Sequence, residues 1–232
     1  MRLCVIRHAD PAYPADRLSE RGRREAAALA ERLAAHGLDR LYTSPMTRAR
    51  ETAAPVAAAC GLPAEELEWV REVEDWWLDE GPMPEWPAWN LDGADIRRMA
   101  LQGRNWLDRR PFDKPVLAEG FERLERESDR FLAGHGYVRE GHRYRVAEGH
   151  RERIAVVCHA GLALSWLGHL LHIPVPLVWA GFFLAPSSVT TVLLEERSAD
   201  WAVPRCLAVG DTSHLLPAGL APGSCGLVAN CE

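Results

Sequence analysis

The sequence lacks any long hydrophobic run. None of its apolar stretches approaches the roughly 20 residues that a membrane-spanning helix requires. The first residues enter an apolar strand-like segment at once, without the basic, apolar and small-residue regions of a secretory signal. These absences predict a soluble, cytoplasmic protein that does not bind a membrane.

Closely spaced cysteines are also absent. The six Cys residues include no Cys-x-x-Cys pair, and Cys4 and Cys158 lie in apolar segments, where Cys acts as a small hydrophobic residue. Reduced thiols are therefore expected instead of a disulfide framework or a zinc site, although a bridge between Cys225 and Cys231 stays open. Five histidines show no spacing typical of metal ligands: His135, His142, His150, His169 and His172. No metal or other cofactor is predicted.

The chain has no excess of positive charge. Its net charge is −6, which argues against a nucleic-acid or anionic-membrane binder. With 47% hydrophobic and 26% charged residues, and without repeats or low-complexity tracts, the composition is that of a globular protein. The 232 residues are enough to bury most of the apolar surface without a metal or a disulfide.

What the sequence does contain is an alternation of short apolar segments and amphipathic helices. An apolar segment, Leu3–Ile6, precedes a predicted helix over 19–36, and a second segment, Leu38–Thr43, precedes a predicted helix over 44–60. The first residue of each helix is a serine that we interpret as the N-cap. This alternation predicts an α/β fold, a three-layer α/β/α sandwich with a mostly parallel central sheet.

Further elements are expected later in the chain. We predict strands at Leu67–Val73, Ile154–Cys158, Ser188–Leu194 and Trp201–Val209, helices over 120–133 and 161–171, and a hairpin over Tyr137–Val146. The last two strands are expected to form an antiparallel pair at the edge of the sheet. The exposed hairpin offers a surface for pairing with another chain, so a homodimer is a possible assembly.

The middle of the sequence is rich in tryptophan. Six of the nine Trp residues lie between Trp69 and Trp106, interleaved with Pro and Gly. Such a segment is too irregular for the sheet and too apolar for a linker, so we interpret it as a lid packed over the sheet. We therefore expect a single domain over 1–232, with a lid insertion at about 75–118 and an irregular tail at about 217–232.

Two of the apolar segments end in a histidine. His8 follows the first of them, directly after Arg7, and His159 follows Ile154–Cys158. Since parallel strands bring their carboxyl ends to one edge of a sheet, we expect these groups to converge there, with Arg48 from a nearby helix start. Guanidinium groups match phosphate oxygens in two-point hydrogen bonds. The sequence therefore predicts a site for a phosphoryl group.

Four segments together resemble the histidine phosphatase superfamily, which has the phosphoglycerate-mutase-like fold. They are Ile6–Ala9, Leu18–Gly22, Ser44–Ala53 and Cys158–Gly161. These segments follow the family's Arg-His-Gly, Leu-Thr-x-x-Gly, Ser-Pro-Leu-x-Arg-Ala and His-Gly-Gly patterns in order and spacing. Ala9 and Ala160 stand where the family usually has glycine, so each is expected to add a methyl group near the phosphate.

The resemblance implies roles for individual residues. His8 matches the nucleophile that becomes a phosphohistidine, while Arg7, Arg48 and the catalytic His159 match the groups that hold the phosphoryl oxygens. This chemistry is plausible on its own terms, because a neutral imidazole is a competent nucleophile and fixed cations stabilise a transferring phosphoryl group without a metal.

The leaving group also needs a proton, which the family takes from an acidic residue after the third strand. Glu72 fits that position best, with Glu74 and Asp75 as substitutes. Four further residues are considered for the substrate rim: Arg50, Trp76, Trp77 and His214. For Arg50 a solvated surface charge is the other interpretation. For His214 a structural hydrogen bond is favoured over a catalytic role.

The resemblance implies a metal-independent phosphomonoesterase that acts on a small phosphorylated metabolite. A phosphoglycerate mutase is the first alternative, but its family members carry a longer loop with a Trp-Asn pair. Here only ten residues separate His8 from Ser19, and neither Trp nor Asn is among them. A non-catalytic phospho-ligand-binding protein is the second alternative, which the retention of both histidines and both arginines disfavours.

Overall fold

The computed structural model describes residues 1–78, 86–227 and 229–230. Its strands are β1 (Arg2–Arg7), β2 (Arg40–Thr43), β3 (Ala64–Glu66), β4 (Trp77–Leu78), β5 (Trp86–Pro87), β6 (Tyr137–Glu140), β7 (Arg143–Val146), β8 (Arg153–Cys158), β9 (Val189–Glu196) and β10 (Trp201–Asp211). Its α-helices are α1 (Glu20–His36), α2 (Thr47–Cys60), α3 (Gly93–Arg97), α4 (Pro115–Gly134), α5 (Ala160–Leu171) and α6 (Val175–Gly181). Short 3-10 helices cover Glu68–Val70, Ala88–Asn90 and Asn105–Asp108.

Eight of these strands form one central sheet. Its strand order is β3-β2-β8-β1-β9-β10-β7-β6. The first four strands are parallel neighbours and the rest join antiparallel, so that six of the eight run in the same direction. The predicted α/β fold with a mostly parallel sheet is confirmed.

Side chains that alternate along the central strands face two different helical layers. Ile6 and Val157 pack in one hydrophobic cluster with α1 and α2. Val5 and Val156 point to the other face and pack in a cluster with α4, α5 and α6. Because both faces are covered, the strands are apolar at nearly every position, which is the pattern seen in the sequence. The three layers are as predicted.

The pairing of β1 with β8 determines where the two histidines emerge. These strands are parallel neighbours, and Arg7 lies opposite Cys158 in their register. The next residue on each strand is a histidine, so His8 and His159 leave the sheet side by side at its carboxyl edge.

The first two predicted helices differ in how they begin. Helix α1 begins at Glu20, and the Ser19 hydroxyl caps it by accepting a hydrogen bond from the Gly22 N–H. Helix α2 begins only at Thr47, with Met46 at the cap position and no side-chain cap. The expectation that Ser44 caps this helix is therefore wrong, because its hydroxyl is used inside the site described below.

The third predicted strand lies earlier in the chain than expected. The strand is β3, whereas Leu67–Val73 contains a turn and the 3-10 helix Glu68–Val70. The apolar character of this stretch reflects Val70 and Val73, which are buried in the core beside α4 and α5 and do not pair in a strand. The Leu67 N–H donates the last bond of the ladder, to the Thr43 carbonyl.

The antiparallel strands β9 and β10 are not at the edge of the sheet. Strand β9 lies between β1 and β10, and β10 pairs in turn with β7 of the predicted hairpin. The sheet therefore extends as far as β6, where the buried Tyr137 and the neighbouring Tyr144 of β7 cover the core. Pairing of the β6 edge with a second copy stays a prediction.

One helix is longer than predicted and one is additional. Helix α4 begins at Pro115, before the expected residue 120, and α6 was not expected because of its flanking prolines. Pro174 is the N-cap of α6 and Pro176 lies in its first turn, where a missing N–H costs nothing. None of the helices in the described ranges is long and apolar enough to cross a bilayer.

The tryptophan-rich segment forms a small layer beside α6. Strands β4 and β5 pair as an antiparallel ribbon, and α3 and two of the 3-10 helices follow. Trp76 and Trp106 are fully buried, with ring centroids 6.1 and 5.7 Å from that of Trp179 on α6. Residues 79–85 of the proposed lid lie outside the described residues, and its role as a lid stays a prediction.

The end of the chain is irregular where it is described. Residues 217–227 and 229–230 contain neither helix nor strand. Cys225 is a free thiol there, as are Cys4, Cys60, Cys158 and Cys206, while Cys231 falls outside the described residues. The tail nevertheless reaches the site, because Cys225 contacts Arg7.

Candidate active site

The two strand-end histidines lie next to each other in the interior of the protein. Their ring centroids are 5.2 Å apart, and only 2% of His8 and none of His159 is exposed. His159 is also the N-cap residue of α5, so its backbone leads directly into that helix. The convergence predicted from the sequence is present in the structure.

The hydrogen bonds of His8 define its tautomer. Its Nδ1 lies 2.8 Å from the Ala9 carbonyl oxygen, which can only accept, so the proton is on Nδ1. The lone pair is therefore on Nε2, which accepts a hydrogen bond of 3.2 Å from Arg48 Nε. Burial, reinforced by the charge of Arg7, lowers the pKa of His8 to about 3. His8 is thus a neutral imidazole with its nucleophilic nitrogen facing Arg48.

His159 is positioned by Ser44. The His159 Nε2 and the Ser44 hydroxyl are 2.8 Å apart, and the same hydroxyl accepts the Met46 N–H. Burial first, and then the neighbouring His8 and Arg48, hold the pKa of His159 well below its usual value. Its buried Nδ1 has no hydrogen-bond partner among the residues that the structure describes.

Arg48 is buried at the start of α2 beside His8. Its Nη1 pairs with the carboxylate of Asp16, whose side chain is 43% exposed on the loop before α1. The hydroxyl of Thr52 accepts the Ala9 N–H and donates to the Arg48 carbonyl, which ties α2 to the chain that follows β1. The tie fixes the distance between the arginine and the histidine.

Arg7 points to the same place from the last position of β1. Its Nη1 donates to the carbonyl oxygens of Leu184, at 2.7 Å, and Cys225, at 2.8 Å. Its buried Nε has no partner in the described part of the chain. We call Arg7, His8, Arg48 and His159 together the histidine–arginine cluster.

Glu72 joins the site from the segment after β3. Its carboxylate accepts the N–H groups of Gly161 and Leu162, in the first turn of α5, and that of Val73. Desolvation raises the pKa of Glu72, although the three N–H donors act in the opposite direction. A carboxyl group of this kind stays protonated to a higher pH than an ordinary Glu.

Trp89 covers the place where Glu72 meets α5. A Cβ atom at Gly161 would lie 2.8 Å from Trp89 Cδ2 and 2.9 Å from Glu72 Oε1. Only glycine fits between these groups and the helix, so Trp89 and Glu72 both pack directly against the first turn of α5. The tryptophan-rich segment therefore contributes directly to the site.

Arg7, His8, Arg48 and Glu72 face one cavity of about 580 Å³, whereas His159 is fully buried and is not part of the lining. Six aromatic side chains line it: Tyr13, Trp77, Trp89, Trp179, Phe182 and Phe183. We call this set the aromatic wall. The remaining lining comes from Arg7, His8, Arg48, Glu72, Glu74, Asn90, Ala160, Leu164, Ala180, Gly181, Leu184, Cys225, Gly226 and Leu227. A charged end and an aromatic end thus share a single space.

The candidates for the proton donor separate in the structure. Glu72 and Glu74 both line the cavity, whereas Asp75 faces a neighbouring cavity and not this one. The side chain of Glu74 is 59% exposed and lies 4.0 Å from Arg71. Glu72 is the acid whose carboxylate lies against the first turn of α5, directly after His159.

Of the four rim candidates, only Trp77 lines the cavity. The prediction is wrong for Trp76, which is fully buried in the core against Trp179. It is also wrong for Arg50, which lies away from the cavity, is 51% exposed and pairs with Glu66. His214 is buried behind the site, where it meets the Ser187 hydroxyl and Arg32, consistent with a structural hydrogen bond.

The two alanines that replace family glycines have different surroundings. Ala9 is fully buried and packs with Leu18 and Ala26 in a small cluster of its own, so its methyl group does not line the cavity. The expectation that it lies near the phosphate is wrong for this residue. Ala160 does line the cavity, as expected.

Several residues lie in the site although the sequence patterns did not place them there. Ser44 lies within a segment that matches the family. Its position before Pro45 and a helix favours an N-cap, which is not the role that it has. Asp16, Tyr13 and Cys225 lie in irregular segments without a periodic signal. Phe182 and Phe183 follow the unexpected helix α6. Nothing in their local sequence indicates that they face the strand ends.

One group of possible metal ligands lies at the opposite edge of the sheet. His135, His150 and Glu152 each offer an atom within 4.8 Å of the others. The lone pair of His150 Nδ1 already accepts the Glu152 N–H, and Arg40 pairs with the Glu152 carboxylate. Two of the three possible ligands therefore already have partners within the protein, and the group lies away from the site.

Comparisons with known proteins concern the family and the fold of the chain. The sequence matches a family model, that of the histidine phosphatase superfamily (branch 1), over residues 3–205. No curated protein is similar enough to match the chain.

Several solved structures share its fold. A phosphoserine phosphatase mutant from Entamoeba histolytica in complex with phosphoserine is 17% identical, with a TM-score of 0.60, and the match covers 92% of this chain and 98% of that one. A mycobacterial glucosyl-3-phosphoglycerate phosphatase complexed with VO3 is 20% identical, with a TM-score of 0.57 and coverage of 90% and 97%. The protein YhfR from Bacillus stearothermophilus is 21% identical, with a TM-score of 0.60 and coverage of 92% and 98%.

Proposed function

We propose that this chain, which belongs to branch 1 of the histidine phosphatase superfamily, is a metal-independent phosphomonoesterase that acts on a small phosphorylated metabolite through a phosphohistidine at His8. The observation that carries the proposal is the state of His8: a buried, neutral imidazole whose Nδ1–H is bound to a carbonyl and whose Nε2 accepts a hydrogen bond from Arg48.

In the first step, His8 Nε2 attacks the phosphorus atom and forms a P–N bond while the ester P–O bond breaks. The departing alkoxide takes the proton of Glu72 and leaves as the alcohol. The carbonyl of Ala9 stabilises the positive charge that develops on the imidazole, because it accepts the Nδ1–H. Burial raises the pKa of Glu72, which favours the acid form that this step uses.

In the second step, water attacks the phosphorus atom of the phosphohistidine. The P–N bond breaks, Glu72 accepts a proton from the water, and inorganic phosphate leaves. His8 returns to its neutral form and Glu72 to its acid form, so the cycle closes without a metal or other co-reactant.

The arginines and His159 would hold the three phosphoryl oxygens. Both arginines donate to groups of the chain, Arg48 to Asp16 and Arg7 to two backbone carbonyls. A phosphate dianion is a stronger acceptor than a carbonyl and can replace the partners of Arg7, and its higher charge lets it compete with the Asp16 carboxylate for Arg48. It can also accept from Arg7 Nε and His159 Nδ1, the two buried nitrogens of the cluster without a partner in the described residues.

The structural relatives support hydrolysis over mutase chemistry, since two of those named above are phosphatases. The free thiols among the described residues fit a reducing compartment, and we propose a cytoplasmic location. We propose no nucleic-acid or membrane partner.

The proposal is tested by phosphate release from a panel of phosphomonoesters. Wild-type protein should release inorganic phosphate equally well with and without a chelator, and His8→Ala should abolish the release. Arg50→Ala, two residues along α2 from Arg48 but solvent-exposed, is the matched control and should behave as wild type.

Three results would contradict the proposal. Transfer of phosphate to a phosphoglycerate acceptor, without release to water, would indicate a mutase. Inactivity of the wild type over the whole panel, together with tight binding of phosphate, would favour a phospho-ligand-binding protein. Activity that the chelator removes would show that a metal takes part.

A further inference from the structure

Resting on the proposed function, we infer the substrate class of the site: a phosphomonoester whose leaving group is apolar, ring-bearing and free of carboxylate. The juxtaposition that carries this inference is the aromatic wall, which faces the histidine–arginine cluster across one cavity whose outer lining has no positive charge in the described residues.

The outer part of the cavity is mostly apolar, with Asn90 and Glu74 as polar exceptions. Beyond the cluster, its lining includes the six side chains of the aromatic wall and the aliphatic Leu164, Leu184 and Leu227. A volume of about 580 Å³ is large enough for a leaving group with one or two rings. Apolar surface of this kind contributes binding free energy only to a group that is itself apolar.

Several apolar side chains at the mouth of the cavity are exposed to solvent. Tyr13 is 64% exposed, Trp77 41%, Phe182 39% and Leu227 43%. All four line this one cavity, although only four other large hydrophobic residues in the described ranges are comparably exposed. Exposed apolar groups that gather in one place are typical of a ligand-binding surface.

Positive charge in the cavity is confined to its inner end. In the described lining the cations are Arg7 and Arg48, both beside His8, and the outer charged residue is Glu74. Residues 79–85, 228 and 231–232 add none wherever they lie, because they read Asp-Glu-Gly-Pro-Met-Pro-Glu, Val and Cys-Glu. A carboxylate on the leaving group would therefore meet the aromatic wall, the amide of Asn90 and the acidic Glu74, and no cation that compensates its desolvation.

The inferred substrate differs from the phosphate esters after which two of the structural relatives are named. Phosphoserine and glucosyl-3-phosphoglycerate both carry a carboxylate beside the phosphate ester. The inferred substrate of this chain has no such group. The shared phosphoryl site and the different outer cavity together predict the same reaction on a different leaving group.

A matched pair of substrates tests the inference: 4-methylphenyl phosphate and 4-carboxyphenyl phosphate. The two esters have nearly the same size, and the methyl group does not make the phenol a better leaving group. We expect kcat/KM to be at least about tenfold higher for the methyl ester, since a mismatch of one group in an apolar pocket has effects of this order.

Variants of the wall show whether the preference originates there. Trp77→Ala and Phe182→Ala remove exposed rings and should raise KM for the methyl ester, which brings the two kcat/KM values closer together. Phe182→Arg places a cation at the mouth and should raise kcat/KM for the carboxy ester. Leu216→Ala is the control, because Leu216 is 82% exposed and does not line the cavity.

The outcomes distinguish this inference from the proposed function. If neither ester is hydrolysed, nor any other in the panel, the proposed function itself fails. If both esters are hydrolysed with equal kcat/KM, only the inference on the leaving group is overturned. Faster hydrolysis of phosphocholine than of the methyl ester would also overturn it, because the wall would then select a cation through its π faces.

Discussion

The histidine–arginine cluster and the aromatic wall border the same cavity but are built in opposite ways. The cluster consists of polar side chains that are almost fully buried, with His8, Arg7 and Arg48 exposed by 5% or less. The wall contains apolar side chains of which three are exposed by 39% or more. The cluster and the three exposed rings of the wall therefore occupy the environments that cost such side chains most free energy, which is a common signature of function.

The comparison indicates a division of labour. Buried hydrogen bonds fix the orientation of the cluster: Ala9 holds the imidazole of His8, Ser44 holds His159, and Thr52 ties Arg48 to the chain after β1. A rigid set of this kind suits the stabilisation of one transition state. The wall has few such hydrogen bonds and presents apolar ring surface to the cavity, which suits the binding of a leaving group.

Removal of the proposed acid should have the largest effect and should divide substrates by leaving group. Glu72→Gln is expected to lower kcat about 10²–10⁴-fold for alkyl phosphates, the range for lost general-acid catalysis, and far less for 4-nitrophenyl phosphate, whose phenolate needs no proton. The alkaline limb of the pH–rate profile, which we expect above the ordinary Glu range because burial raises this pKa, should disappear.

The controls for this prediction are the neighbouring acids. Glu74→Gln and Asp75→Asn should leave the alkyl and aryl rates in their wild-type ratio. A selective loss with alkyl phosphates in either of these variants would move the acid from Glu72 to that residue. An aromatic-wall variant such as Trp77→Ala should change KM for ring-bearing esters without creating this dependence on leaving-group pKa.

Loss of a phosphoryl donor should come next in size. Arg48→Ala is expected to lower kcat about 10²–10³-fold, as for the removal of one donor to a transition-state oxygen. Arg48→Lys should recover only part of this, since it keeps the charge without the two-point geometry. Steady-state kinetics on both phenyl and alkyl phosphates should show equal losses. A loss confined to ring-bearing substrates would place Arg48 with the wall.

The smallest effect concerns stability and pH. Because burial lowers the pKa of His8 from 6.5 to about 3, the unfolded state binds more protons between these pH values, and folding stability falls as the pH falls through that window. One such group contributes a slope of up to about 1.4 kcal/mol per pH unit. The free energy of unfolding of His8→Gln, taken relative to that of wild type, should therefore be higher at pH 4 than at pH 6.

The wall gives the contrasting result in the same experiment. Phe182→Ala removes no proton-binding group, so its difference from wild type in the free energy of unfolding should be the same at pH 6 and pH 4. Denaturant titrations at the two pH values measure both variants. A slope for His8→Gln equal to that of wild type would show that His8 is not held neutral by the fold.

The same division explains what the sequence could predict. The cluster lies where apolar strands end and helices begin, so His8, Arg7, Arg48 and His159 follow from short local patterns and the parallel pairing of β1 and β8. Ser44 shows the limit of such patterns, since a serine before a helix is usually a cap and here holds a histidine.

The wall could not be predicted in this way. Its rings come from the loop after β1, the tryptophan-rich segment and the end of α6, which tertiary packing alone brings together. Trp76 and Trp77 are neighbours in the chain, yet one is in the core and the other lines the cavity. In an irregular segment no period indicates which of two adjacent side chains faces inward.

The central claim, that His8 carries the phosphoryl group, is tested most directly by trapping the intermediate. Wild-type protein is mixed with phenyl phosphate, quenched within one turnover under alkaline conditions that preserve P–N bonds, and analysed by mass spectrometry. We predict one phosphoryl group per chain, located on His8, formed and lost at least as fast as turnover, and absent in His8→Ala. Turnover without any phosphorylated protein, or His8→Ala turning over at the wild-type rate, would contradict the account.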